Sequence, residues 1–248
     1  MKKQLTAFMM AWGMFCAIPC PYKKWDDAAR PWMIVWLPVV GLLVGAVWML
    51  AARLFALWGF TNLLAAAVLT MLPYLLTGFL HLDGYLDCCD AILSRRELAE
   101  RQKILKDSHV GSFAVIGFGL LLLAVFGAFG SLDFASWRAL LLIPAASRCV
   151  SGLAVTSLRP MGTSQYAGAF QKSDKRAQRT ILWLLLAASL AGGFLFAGRA
   201  GLAAAVTAAV SGLFTWYGAR QLGGMSGDIS GFALTLGEAA GVISLLFL

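Results

Sequence analysis

Apolar residues arrive along this chain in long unbroken blocks, without the short alternation of a half-buried strand. Residues 31–52 contain no Asp, Glu, Lys or Arg, and neither do residues 54–82. Blocks of that length match the roughly 20 apolar residues that a helix needs to cross a bilayer. Further spans are expected at 112–130, 137–157, 180–198, 200–219 and 229–248, with Arg148 and Glu238 inside two of them. The opening run, LTAFMMAWGMFCAIPCP, is apolar over too short a distance and is stopped by Pro19 and Pro21. A helix lying against the bilayer or partly entering it is expected there. No small-residue pattern separates this run from the prolines, which argues against a cleavable leader. The pattern therefore predicts an all-α fold, a polytopic membrane helical bundle of about seven transmembrane helices plus the N-terminal helix. It forms a single domain over residues 1–248, with polar connections near 83–111, 158–179 and 220–228.

Composition agrees. The chain is 60% hydrophobic and 13% charged, with a mean hydropathy of +0.78, against about 45–50% and about 25% in soluble domains. The net charge of +8 follows from topology. With the N-terminal segment inside, sixteen Lys and Arg fall on the cytoplasmic side, and Arg53, Arg138 and Arg199 are the three opposite. That bias predicts a cytoplasmic (inner) membrane protein whose polar connections face the cytoplasm. Nothing implies nucleic acid, because no aromatic-interleaved basic stripe lies outside the spans. Oligomeric state is not legible.

The chemistry-bearing stretch is HLDGYLDCCD, residues 81–90. On a helix, Asp83, Asp87 and Asp90 stand at i, i+4 and i+7 and share one face. Like charges one turn apart repel, more so beside a low-dielectric medium, unless a cation sits among them. Mg²⁺ suits such a set, since it takes one or two carboxylates and completes its shell with water and substrate phosphate. Pairing with Arg95, Arg96 or Lys106 in a solvated loop is the alternative. Gly84 inside the run lowers helix propensity by about 1 kcal/mol, which points to close approach by a backbone, a phosphate or a neighbouring helix. An amphipathic helix is expected from about Arg96 to Lys106, followed by Asp107, Ser108 and His109 where the chain re-enters the membrane. His81 and His109 bracket the acidic segment and are the only histidines.

A second constellation, GGMSGDISG at 223–231, is a glycine-rich turn ending in Asp228. Amides near Gly224 and Gly227, at a helix N-terminus, can face an anion. Arg159, beside Pro160 and Gly162, can pair with a phosphate or simply serve topology. The five cysteines (Cys16, Cys20, Cys88, Cys89 and Cys149) form no zinc spacing or disulfide framework and read as free thiols.

HLDGYLDCCDA, followed by ERQKILKDSHVGSFAVIG and later GGMSGDISG, resembles the cobalamin synthase (adenosylcobinamide-GDP ribazoletransferase) family. The similarity covers the whole chain. Its most specific part pairs the run Asp83, Gly84, Asp87, Asp90 with Lys106, Asp107 and Ser108. The resemblance implies a prokaryotic membrane enzyme that joins adenosylcobinamide-GDP to α-ribazole or its 5′-phosphate, needs Mg²⁺ and releases GMP. It also implies roles for the matching residues. Asp83, Asp87 and Asp90 would hold one or two metal ions, one of these carboxylates would also take the hydroxyl proton, and Asp107 or Asp228 would fill a remaining metal position or act as that base. His81, Gly84, Arg96, Lys106, Ser108, His109, Arg159, Gly224 and Gly227 would contact substrate. Two motifs depart from the family: His109 stands where an arginine is expected, and Cys16 and Ala17 replace a Thr-Arg pair.

Two other classes share features with this chain. A CDP-alcohol phosphotransferase also places a DG-containing acidic run at a membrane edge, but Asp87 and Cys88 stand where Ala-Arg belongs, and its second acidic run is missing. A transporter is suggested by the intramembrane Arg148 and Glu238. No inverted repeat accompanies them, and a static Arg148–Glu238 bridge is the preferred reading.

Overall fold

The computed structural model describes residues 2–22, 24–60, 63–132, 136–162 and 175–248. Its α-helices are α1 (Lys2–Phe15), α2 (Met33–Leu57), α3 (Leu63–Leu76), α4 (Leu80–Leu93), α5 (Leu98–Ile104), α6 (Ser112–Ser131), α7 (Ile143–Ser157), α8 (Arg176–Ala197), α9 (Leu202–Leu222) and α10 (Gly227–Ser244). Most of the expected connection at 158–179 lies outside the described residues, which resume at Lys175. Among the described residues the one β-type pairing is an isolated parallel bridge between Pro160 and Met225.

The all-helical architecture is as expected, and the expected count of about seven spans is not confirmed among the described residues. Among the described residues four helical stretches are long and apolar enough to cross a membrane: Arg30–Leu57, Ser112–Ser131, Trp137–Ser157 and Arg176–Leu222. A fifth is possible if α3 and α4 act as one broken span. Three causes account for the difference. The block at 54–82 does not form one helix, because the chain bends by 94° between α3 and α4. Gly78 and Phe79 at the bend adopt φ of +59° and +62°, a left-handed conformation that ends a helix. The blocks at 180–198 and 200–219 fall in one 47-residue stretch, Arg176–Leu222, interrupted by a 3₁₀ turn at Gly198–Gly201. Finally, α10 is not apolar enough to qualify, since it carries Asp228 and Glu238.

Packing explains how helices containing proline survive. Pro73 inside α3 has no N–H to give to the Leu69 carbonyl one turn earlier. The buried Trp48 indole of α2 donates to that carbonyl at 2.8 Å, so the proline also joins two helices. At the bundle's heart Arg148 and Glu238 form the expected bridge: Arg148 Nη1 donates to Glu238 Oε1 at 2.6 Å and to the Pro144 carbonyl at 3.0 Å. The Ser147 hydroxyl donates to the same Glu238 oxygen at 2.8 Å.

The two ends of the bundle differ in character. At one end the guanidinium groups of Arg53 and Arg138 both lie over the Trp137 ring, at 5.3 and 5.1 Å from its centre. At the other end α5 docks on the C-terminus of α9. Arg101 donates to Gln221 and Gln102 donates to the Leu222 carbonyl, one of the carbonyls a helix end leaves without an intrahelical partner. The chain after α7 joins the same cluster, with the Met225 amide donating to the Arg159 carbonyl and the Met161 amide to the Met225 carbonyl. Polar connections far apart in sequence thus meet on one side.

Candidate active site

The acidic run is not a loop. It occupies α4, which packs between α6 and α10, so that Cys88 and Cys89 are buried while Asp83 faces solvent and Asp87 and Asp90 are half-buried. All five cysteines are free and buried.

Gly84 accounts for what happens next. A Cβ at this position would sit 2.8 Å from both the Cα and the carbonyl oxygen of Asp228. One turn away, a Cβ on Gly231 would sit 2.6 Å from the His81 carbonyl oxygen. Two bare backbones therefore let α4 and α10 cross in contact, which sets the first turn of α10 against the acids of α4. Of the alternatives for Gly84, close approach by a neighbouring helix is the one observed. The electrostatic neighbours of Asp87 are Asp83, Asp228 and Asp90. Among the described residues none of these four carboxylates has a Lys, Arg or His within ion-pairing distance. The alternative pairing with Arg95, Arg96 or Lys106 is not formed.

Asp90 differs from the other three. Its Oδ2 accepts from the Gly111 amide at 2.6 Å and its Oδ1 from the Ala114 amide at 2.9 Å. It therefore caps the N-terminus of α6 from a neighbouring helix, satisfying donors that a helix start leaves unpaired.

Two cavities meet at Asp83. The first, about 360 Å³, is bordered by Asp83, Asp87 and Asp90 on one side and by Lys106, Asp107, Ser108 and His109 on the other. The two motifs of the sequence thus share one pocket. Within it the His109 ring and backbone amide both contact Asp107 Oδ1, at 2.6 and 3.0 Å, and hold the Asp107 carboxyl below the usual carboxylate range. A polar depression of about 500 Å³ adjoins it and brings in Arg96, with Lys103 and Glu100. The second cavity at Asp83, about 200 Å³, is mostly apolar; Phe15, Leu37 and Leu80 wall it, and His81, Gly227 and Asp228 border it.

Two expected contacts stand apart from these cavities. A Cβ on Gly224 would lie 2.6 Å from the Met161 amide nitrogen, so this glycine makes room for the bridge between Pro160 and Met225. Arg159 contributes its carbonyl to that bridge, and its side chain is exposed. The expected anion nest is partly occupied by the protein, since the Ser226 hydroxyl accepts from the Ile229 amide at 3.3 Å and caps α10. Cys16 and Ala17 border a separate cavity of about 580 Å³ beside Met9, Met10 and Trp25. Phe15, Ser230 and Ser151 escaped sequence reasoning, because isolated apolar and hydroxyl residues carry no spacing signal.

The donor set can be tested against Mg²⁺. Among the described residues no group of three or more His, Cys, Asp or Glu side chains is arranged to hold a metal ion. Mg²⁺ rarely takes an all-protein cage and ordinarily combines one or two carboxylates with water and phosphate. Asp83, Asp87 and Asp228 offer only oxygen donors and have no cationic partner among the described residues, which is the donor chemistry used by a divalent ion that shares its shell with water and phosphate.

A family profile described as cobalamin-5-phosphate synthase matches residues 7–246. A protein of Clostridium perfringens named adenosylcobinamide-GDP ribazoletransferase is 36% identical over 248 residues, 99% of each chain. One of the same name from Clostridium botulinum is 36% identical over 251 residues, 98% of each chain. Another, from Lachnoclostridium phytofermentans, is 31% identical and covers 94% of this chain and 90% of its own. No solved structure matches.

Proposed function

The chain belongs to the cobalamin-5-phosphate synthase family, and from that premise we propose that it joins adenosylcobinamide-GDP to α-ribazole or α-ribazole 5′-phosphate and releases GMP, in assembly of the cobalamin nucleotide loop. A hydroxyl of the ribazole attacks the phosphorus attached to cobinamide, and the bond from that phosphorus to the GMP oxygen breaks. Such a displacement asks the protein mainly to position groups and to offset charge. Asp83, Asp87 and Asp228 are the residues to hold Mg²⁺, with Asp90 at the edge of the set. A metal bound there would offset the charge of the diphosphate and supply Lewis-acid chemistry. Lys106 and Arg96 offset the charge gathering on the departing GMP, and Ser108 and His109 border the same pocket. Asp87 or Asp107 takes the hydroxyl proton.

One observation carries this reading: Gly84 brings Asp228 of α10 onto the acidic face of α4, and among the described residues no cation pairs with these acids. The enzyme sits in the cytoplasmic membrane of a prokaryote with this site facing the cytoplasm, a placement supported by the one-sided distribution of Lys and Arg along the sequence. Family membership does not favour a CDP-alcohol phosphotransferase or a transporter, and Arg148 and Glu238 pair with each other at 2.6 Å.

Purified protein in detergent or liposomes, given adenosylcobinamide-GDP, α-ribazole phosphate and Mg²⁺, is expected to release GMP, to stop on chelation and to resume on adding Mg²⁺. A CDP-alcohol with a lipid acceptor should yield no CMP, and liposomes should show no ion flux. GMP release that continues in excess chelator would remove the metal from the proposal, and absence of GMP release would remove the reaction.

A further inference from the structure

The smaller cavity at Asp83 has features that phosphate chemistry does not use. His81 and Ser230, each 7% exposed, border it, and His81 Nε2 and Ser230 Oγ are buried without a hydrogen-bond partner among the described residues. Leaving a buried polar atom unpaired costs about 1–3 kcal/mol, and both residues line this one cavity, so a ligand reached by a small side-chain rotation would supply the missing partners. The walls say what kind. The Phe15 ring and the His81 imidazole lie parallel within 9°, with centroids 6.2 Å apart, and Leu37 and Leu80 add apolar surface. A flat, apolar ring system with one polar edge matches these surroundings. At about 200 Å³ the cavity admits one bicyclic ring and is far too small for a corrin macrocycle.

Resting on the reaction proposed above, we infer that this cavity binds the benzimidazole base of the ribazole acceptor and that His81 recognises it. With its proton on Nε2, the imidazole donates to the ring nitrogen that carries no ribose. The ribose then lies toward Asp83 and Asp228, which border the same cavity, while the donor's diphosphate uses the cavity lined by Lys106 and Ser108. Acceptor and donor thus enter from two cavities, and the carboxylates stand where the two meet.

The test compares α-ribazole with its indole analogue, in which the unsubstituted ring nitrogen is replaced by CH. Wild-type enzyme is expected to show a KM about tenfold or more higher for the indole riboside, the discrimination that one lost hydrogen bond gives. In His81→Leu that ratio should fall toward one, with the KM for α-ribazole raised and that for adenosylcobinamide-GDP within about twofold of wild type. His81→Gln, which keeps an N–H donor, should restore most of the discrimination. A merely structural histidine would shift both substrates together and leave the ratio untouched. Should His81→Leu fail to fold, the wild-type ratio together with His81→Gln decides. GMP release with no preference between the two ribosides, or an unchanged ratio in the variant, overturns this inference and leaves the reaction standing. No GMP release with either riboside overturns both.

Discussion

Two groups of charged residues lie in this apolar chain, and they behave in opposite ways. Arg148 and Glu238 are in the middle of the bundle, 0% and 7% exposed, and neutralise each other's charge at 2.6 Å, with further hydrogen bonds from Ser147 and to a backbone carbonyl. Asp83, Asp87 and Asp228 are gathered at the meeting of two cavities, carry like charge, and have no cationic partner among the described residues. A charge that a fold buries for its own sake arrives with a counter-charge, because an isolated one is costly to desolvate. A cluster held together without one is complete only when something outside the chain joins it. The first pair is architecture, and the second group is the site we propose.

Substitutions can break that contrast. Asp83→Asn or Asp87→Asn, which keep shape and remove charge, should cost turnover about a thousandfold or more, roughly 4 kcal/mol in the barrier. Thermal unfolding should change little or improve, since repulsion is relieved. Turnover near wild type at saturating Mg²⁺ would place these acids outside the chemistry. Arg148→Met should do the reverse by leaving Glu238 buried and unpaired, at a cost of about 3 kcal/mol in stability. The double variant Arg148→Met/Glu238→Leu should recover most of it, and a double variant no more stable than the single one would contradict a purely architectural pair.

Gly84→Ala links the two regions. Its Cβ would meet Asp228 backbone at 2.8 Å, so α10 must shift and carry Asp228 with it. Activity should fall about 10- to 100-fold, in keeping with the cost of a misplacement near 1 Å, while most of the bundle stays folded. Full activity would show that the Asp228 position does not matter. The smallest effect is expected at Asp90→Ala, where loss of the α6 cap should cost about 1 kcal/mol, seen as a lower unfolding temperature. If Asp90→Ala instead abolished turnover without lowering that temperature, Asp90 would belong with the metal-holding acids.

Much of this protein was legible from residue order. Long charge-free blocks can only be helices in lipid or in a core, so the all-helical class followed directly, and the one-sided distribution of Lys and Arg separated the two ends. The spacing Asp83, Asp87, Asp90 placed three acids on one helical face. Less legible was how each block would be used. Nothing in residues 54–82 marks a 94° bend, which depends on Gly78 and Phe79 adopting left-handed backbone where α3 meets its neighbours. Periodicity also treated Asp90 as equal to Asp83 and Asp87, although it caps α6.

The sequence by itself determined which side chains are available, because charge and hydrogen-bonding capacity belong to residue type. Only the tertiary structure decided which of them act together. Asp228 lies 145 positions beyond Asp83 in the chain, and their meeting depends on two glycines that let helices cross backbone to backbone. Likewise, His81 and Ser230 gain their meaning from a shared enclosure. Pairing and burial are properties of distance in space, and distance along the chain does not encode them.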